Sequence, residues 1–127
     1  MRVFKTKTFA RFARSERISD VSLCDAVRRA ERGLIDADLG GAVIKQRVAR
    51  PGQGRSGGYR VLVAYRAKGR CVFLFGFAKR DRGNVDDDEL MTLRDIAKAW
   101  LVADPNALAG ALNKGLIEEV EYDDEKA

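Results

Sequence analysis

The sequence contains no histidine among its 127 residues. Ser-His-Asp and Cys-His nucleophile systems, histidine-ligated zinc and paired-histidine ribonuclease chemistry all need imidazole groups, so the composition excludes them. Cysteine is scarce as well. The chain has two, Cys24 and Cys71, and because their spacing is not that of a disulfide framework, we expect both to be small core residues. Any catalysis must therefore use lysine, arginine, aspartate or tyrosine.

Long hydrophobic runs are also missing. The longest is CVFLFGFA at residues 71–78, far below the roughly 20 residues that a membrane span requires. We predict a soluble, cytoplasmic protein with no membrane partner. A chain of this length, 46% apolar, can bury a core of its own but is too short for two full-sized domains. We predict one domain over residues 1–117 and a disordered acidic tail over residues 118–127.

Charge is unevenly distributed along the chain. Residues 1–84 hold 20 Lys and Arg against 7 Asp and Glu, a net charge of +13, whereas residues 85–127 hold 4 against 12, a net charge of −8. A domain body this cationic favours a polyanionic partner, and nucleic acid is the commonest one, because neutralised phosphates release their counterions. The alternative is a solvated basic surface without a partner. Because the basic residues cluster around one glycine-rich loop, we favour a nucleic-acid partner over that alternative.

The apolar spacing predicts helices near the N-terminus, several β-strands after them and a C-terminal amphipathic helix. Residues 116–122 are either a short edge strand or the start of a frayed tail. The run at 71–78 is apolar on both faces, which is typical of a central strand. The other predicted elements are a strand at 2–5, a short basic helix with Phe9 and Phe12 on one face, a helix from Ser19 or Asp20 to Arg32, strands at 42–49 and 59–66, and helices at 87–103 and 107–112.

The strand at 42–49 alternates in character. Val43, Lys45, Arg47 and Ala49 fall on one face, while Ile44, Gln46 and Val48 fall on the other. A cationic loop follows, with Gly52, Gly54 and Gly57 in the spacing G-x-G-x-x-G. A dinucleotide fingerprint needs a helix after the glycines, and here a strand follows, so no nucleotide cofactor is expected.

The acidic run Asp86 to Glu89 opens the long C-terminal helix. Several carboxylates in sequence can suggest a magnesium or calcium site. Acids in the first turn of a helix are already explained by the helix dipole, however, and consecutive residues do not share a face. Asp86 and Glu89 have the spacing of a capping box. We therefore expect a helix cap here and no metal.

The segments KQR, SGGYRVLVAYR and VFLFGFAKRDRGNV, followed by the acidic start of an amphipathic helix, resemble the RelE-type toxins of bacterial toxin-antitoxin modules, and within them the HigB-like branch. The resemblance covers most of residues 2–103, and GGYRV and FAKRDRGN are its most specific parts. It implies an α+β fold in which N-terminal helices pack on a small antiparallel β-sheet, followed by a C-terminal amphipathic helix. It also implies an endoribonuclease that cleaves messenger RNA on the ribosome without a metal or other cofactor. It also implies a cognate antitoxin, typically a helix-turn-helix DNA-binding protein in this branch.

The resemblance also implies the site. It places Lys45, Arg47, Arg60, Lys79 and Arg80 in the catalytic site. Two departures from the family stand out: the loop between Arg47 and Tyr59 is longer, and Asp86 occupies the position of a catalytic tyrosine found in some members. We therefore predict Asp86 as a possible acid or base. A relative that poisons gyrase with the same fold, or a basic module that binds without chemistry, is the alternative function.

The chemistry of the side chains suggests which residue would take each catalytic role. Arginine matches a phosphate through two hydrogen bonds, so Arg60 and Arg80 are predicted to clamp the attacked phosphate. Lysine gives up a proton more readily in a cationic setting, so Lys45 or Lys79 is the candidate general base or acid. The predicted RNA-binding residues are Arg50, Arg55, Tyr59 and Arg82. Tyr59 could stack on a base or be a half-buried strand tyrosine.

Overall fold

The computed structural model describes residues 1–50 and 57–123 and has the predicted α+β architecture. Its helices pack on a sheet of six strands. In chain order the elements are β1 Arg2–Thr6, α1 Lys7–Glu16, α2 Asp20–Glu31, β2 Ala37–Asp38, β3 Val43–Val48, β4 Tyr59–Arg66, β5 Arg70–Ala78, α3 Asp87–Val102, α4 Pro105–Asn113 and β6 Ile117–Val120.

The strands lie in the order β2-β3-β4-β5-β1-β6. The pairs from β2 to β5 are antiparallel, as is β1 with β6, whereas β1 and β5 are parallel. The sheet is thus mostly antiparallel, as predicted, but it contains one parallel pair that was not predicted. The apolar strand β5 lies inside the sheet between β4 and β1, which confirms its predicted central place.

Helices cover both faces of the sheet. α1 and α2 pack on one face, where Phe9, Leu23 and Val27 join Val61 and Phe73 in a buried cluster. α3 and α4 pack on the other, where the buried cluster includes Leu93, Leu101 and Leu108. We call this second side the α3 face. Lys45 and Arg47 follow Val43, which belongs to the α3-face cluster, at alternate positions along β3, so they share that face with it.

Gln46 points the other way and joins three segments. Its amide nitrogen donates to Ala26 O at 3.0 Å and to Leu34 O at 3.2 Å. Its amide oxygen accepts from Asp36 N at 2.9 Å. The side chain is 1% exposed, so these bonds have no water to replace them. Gln46 therefore fixes β3 against α2 and the loop that leads to β2.

Part of the predicted acidic tail belongs to the sheet. Residues 117–120 form β6, an edge strand paired with β1, so the predicted boundary after residue 117 falls inside a strand. Two acids of β6 form ion pairs: Glu119 with Arg2 at 2.8 Å and Glu118 with Arg14 at 3.2 Å. The first acids of the predicted tail therefore belong to the domain. The last four residues of that tail lie outside the described residues.

Replacing Gln46 with leucine tests its role as a structural link. The variant keeps a similar volume but loses the three hydrogen bonds of the Gln46 amide, to Ala26 O, Leu34 O and Asp36 N. We expect a loss of about 2 kcal/mol in the free energy of unfolding, measured by urea denaturation. Asn113→Leu, an amide-to-leucine change at an exposed position at the end of α4, is the matched control. An unchanged free energy for Gln46→Leu would contradict this role.

Candidate nucleic-acid interface

Three basic side chains lie together on the α3 face where β3 pairs with β4. Arg47 lies directly opposite Arg60, and Lys45 lies opposite Leu62. Directly opposed residues of an antiparallel pair have Cβ atoms roughly 5 Å apart on one face. The register therefore brings together Lys45, Arg47 and Arg60, which we call the basic floor. The next strand continues both rows, with Phe77 opposite Arg60 and Phe75 opposite Leu62.

Arg60 is the most deeply placed of the three. It is 7% exposed, and its Nη1 donates to the carbonyl oxygen of Tyr59 at 3.4 Å. Burial lowers the pKa of Arg60, the neighbouring Arg47 lowers it further, and Asp36 acts in the opposite direction. Like charges directly opposed across two strands are destabilising on their own. An anion placed between them, such as a phosphate, would relieve that repulsion.

Arg47 is held in place through its backbone. Its N–H donates to Asp36 Oδ2 at 2.6 Å, and the Arg29 guanidinium donates to its carbonyl oxygen. Arg29 is 9% exposed and also pairs with Asp36 at 3.6 Å and with Asp25 at 3.2 Å. These side chains replace the strand pairing that β2 is too short to supply. The strand end that carries Arg47 is thus fixed while its own side chain stays half exposed.

Sequence reasoning did not find Asp36 or Arg29 as parts of this region. Arg29 lies in the last turn of α2, where a basic residue is already explained by the helix dipole. The spacing of Asp25 and Arg29, four residues apart on one helix, was the available signal that Arg29 has a specific place. Its reach to β3 depends on tertiary packing, which spacing does not encode.

Lys79 and Arg80 follow β5 at the same end of the sheet. The backbone N–H of Lys79 donates to Gly58 O at 3.3 Å, which ties this turn to the start of β4. Both side chains are exposed, and Arg80 Nε lies 3.6 Å from the carboxylate of the adjacent Asp81. The structure therefore brings all five predicted catalytic residues to one end of the sheet, three on the basic floor and two at its margin.

Arg82 and Asp86 connect that margin to α3. The guanidinium of Arg82 donates to both carboxylate oxygens of Glu89, at 3.0 and 2.5 Å, and to Asn84 O at 2.9 Å. It also lies over the ring of Phe77, 5.7 Å from the centroid. Asp86 is the N-cap of α3 in the predicted capping box, and its Oδ1 accepts from Glu89 N at 2.8 Å. Both predicted site residues thus have structural partners.

A family model described as the RelE toxin of the RelE / RelB toxin-antitoxin system matches residues 1–120. The chain belongs to the RelE toxin family. Its membership gives it a cognate antitoxin as partner and makes it the toxin of a toxin-antitoxin system. No curated protein matches the sequence significantly.

The structure places the other residues of this RelE-family toxin as follows. Tyr59 is 2% exposed on the α1 side of the sheet, its hydroxyl donates to Glu16 Oε1 at 3.0 Å, and its ring meets Phe12 edge-on. It is a core residue and cannot stack on a base from that position. Arg50 lies over the Tyr59 ring, 5.9 Å from the centroid. Arg55 lies outside the described residues.

Residues 1–50 and 57–123 of this RelE-family toxin contain neither a metal-binding cluster nor a membrane-spanning helix. Within these ranges no three histidine, cysteine, aspartate or glutamate side chains are grouped closely enough to hold a metal ion. The acidic run at the start of α3 is a helix cap there. Across the same residues, no helix is long and apolar enough to span a membrane.

The ion pair between Arg82 and Glu89 predicts a dependence of stability on pH. The pKa of Glu89 is lowered from 4.5 to about 2. The largest cause is the hydrogen bonding from Arg82, and the second is the hydrogen bond from the Asp86 backbone. A lowered carboxyl pKa stabilises the folded state above the unfolded value and loses this effect as pH falls through the folded value. Glu89→Gln should therefore lower the melting temperature at pH 7 and have little effect near pH 2.

Thermal unfolding followed by circular dichroism between pH 2 and pH 7 measures this difference. Asp95→Asn, a change of the same kind on the exposed face of α3, is the control for general loss of a negative charge. A difference in melting temperature between wild type and Glu89→Gln that stays constant over this pH range would contradict the stabilising role of the ion pair.

Proposed function

We propose that this RelE-family toxin is an endoribonuclease, an mRNA interferase of the HigB-like branch. It cleaves messenger RNA on the ribosome without a metal, inhibits translation in the bacterial cytoplasm, and is neutralised by a helix-turn-helix antitoxin. The observation that carries the proposal is the direct opposition of Arg47 and Arg60 across β3 and β4. Arg47 is half exposed and Arg60 is 7% exposed, and in our proposal these opposed arginines bind an anionic RNA backbone.

The proposed chemistry has three parts. A base removes the proton of the 2′-hydroxyl, cations stabilise the charge that develops on the attacked phosphate, and an acid protonates the leaving 5′-oxygen. In our proposal Arg60 and Arg80 clamp the phosphate, since arginine offers two parallel donors and keeps its proton. Lys45 or Lys79 moves the protons. Asp86 is the weaker candidate because it caps α3.

The proposed RNA path follows from the same arrangement. Phosphates would contact Arg47 on the basic floor and then Arg50 and Arg55 in the glycine-rich segment. Arg82 would join them by exchanging its contact with Glu89 for a phosphate. A charge-assisted bond to a phosphate resembles the one that it replaces. Lys79, which directly follows β5, is exposed as well.

A second candidate is a basic module that blocks the ribosome or gyrase without chemistry. The engagement of Asp86 in the helix cap favours it, because the carboxylate of this candidate acid or base already accepts a hydrogen bond from Glu89 N. Mapping of transcript 5′ ends after induced expression separates the two functions. New ends within coding regions support the nuclease, whereas growth arrest with intact transcripts supports the blocker.

Arg80→Ala tests the proposed phosphate clamp. We expect ribosome-dependent cleavage to fall by at least about 100-fold, the cost of removing one donor to a developing negative charge. Arg80 is exposed, so the variant should keep the wild-type melting temperature. Lys98→Ala, which removes an exposed cation of α3, should cleave at the wild-type rate. Full cleavage by Arg80→Ala would overturn the assignment.

A further inference from the structure

Strand β5 has an irregularity on the α3 face. Leu62 pairs with Phe75 and Val63 pairs with Phe73, so Leu74 is an extra residue in β5. Such a bulge redirects side chains. Leu74 and Phe75, although adjacent in sequence, both pack with the α3-face cluster. Leu74 is 4% exposed, whereas Phe75 is less buried. The bulge thus leaves a partly exposed aromatic ring beside the basic floor.

A cavity opens over this ring. It has a volume of about 230 Å³ and is lined by Phe75, Leu93, Glu89 and Thr92. Pockets for drug-sized ligands are larger, about 300 to 1,000 Å³, so this cavity suits one ring system. Phe75 lies in the row of Lys45 and Leu62 across neighbouring strands. Two strand spacings separate Phe75 from Lys45, roughly 10 Å.

The polar groups of the cavity are acceptors. Thr92 Oγ1 donates its proton to Asp88 O at 3.2 Å, so only its lone pairs remain for a ligand. The Glu89 carboxylate accepts from Arg82 and from the Asp86 backbone, and Oε2 keeps room for another donor. A ligand that fits here combines an aromatic face for Phe75 with N–H donors for these acceptors.

We propose that this cavity is a nucleobase subsite, in which a base of the bound RNA stacks on Phe75 and donates an amino group to Glu89 or Thr92. The inference rests on the proposed function, since the phosphate of that nucleotide lies on the basic floor. Single-stranded RNA is commonly recognised by bases stacked on aromatic side chains next to basic grooves. The acceptors favour cytosine, adenine and guanine, which carry exocyclic amino groups, over uracil, which has a single N–H donor between two carbonyls.

Titration of the full chain with the hexanucleotides rC6 and rU6 at low salt tests the subsite. Wild type should bind rC6 several-fold more tightly than rU6. Phe75→Leu keeps an apolar side chain but removes stacking, and should weaken both affinities by about tenfold. Phe75→Tyr retains the ring and should bind like wild type. Thr92→Val removes one acceptor at constant size and should narrow the ratio between rC6 and rU6.

Phe12→Leu is the matched control, because Phe12 is a partly exposed phenylalanine that packs on the opposite face of the sheet. It should bind both oligonucleotides like wild type. Equal affinities of Phe75→Leu and wild type would overturn the subsite. If Arg47→Ala still weakened binding in that case, the proposed RNA contact of the basic floor would stand without it.

Two further results would count against the subsite. Failure of wild type to bind either oligonucleotide would reject it together with the proposed RNA contact. Loss of antitoxin binding by Phe75→Leu with unchanged RNA affinity would assign the cavity to the protein partner instead.

Discussion

The register between β3 and β4 is the constraint on which the rest of the site depends. It sets Arg47 directly opposite Arg60, and two like charges in that position repel each other. The fold keeps them there because each strand is fixed from the other face of the sheet. Gln46, between Lys45 and Arg47, is anchored in the α2 layer by three hydrogen bonds. A shift of one residue would bury the cations and expose Gln46.

Acidic residues around the site form ion pairs and hydrogen bonds that hold its arginines in place. Asp36 and Arg29 hold the backbone of Arg47, and Glu89 holds Arg82 against the start of α3. At the far edge, Glu118 and Glu119 pair with cations of α1 and β1. The acids thus compensate supporting positions more than the basic floor itself. Acidic residues from both the basic and the acidic part of the sequence thus pair with the arginines that surround the basic floor.

The sequence predicted most of the fold because its elements carry local signals. Alternation along residues 42–49 gave β3 with the correct faces, the spacing of Asp86 and Glu89 gave the cap of α3, and the two-sided apolar run gave the interior strand β5. The parallel pairing of β1 with β5 was not predicted, and the two alternatives for residues 116–122 stayed open until the structure showed the edge strand β6. Both depend on contacts between distant segments, and the acidic composition of residues 118–123 resembles that of a tail.

The site was predicted in outline but not in depth. Side-chain alternation places Lys45 and Arg47 on one face, yet it does not show which strand residue lies opposite them. Of the two roles predicted for Tyr59, stacking on a base and a strand tyrosine, the structure shows the second, because Val48, its partner in β3, faces the core. The bulge at Leu74 shows even more clearly what the sequence pattern does not reveal. Regular alternation would give Leu74 and Phe75 opposite faces, so no pattern in β5 reveals that Phe75 shares the face of Arg60. One extra residue in a central strand thus decides whether an aromatic ring belongs to the core or to the cationic surface.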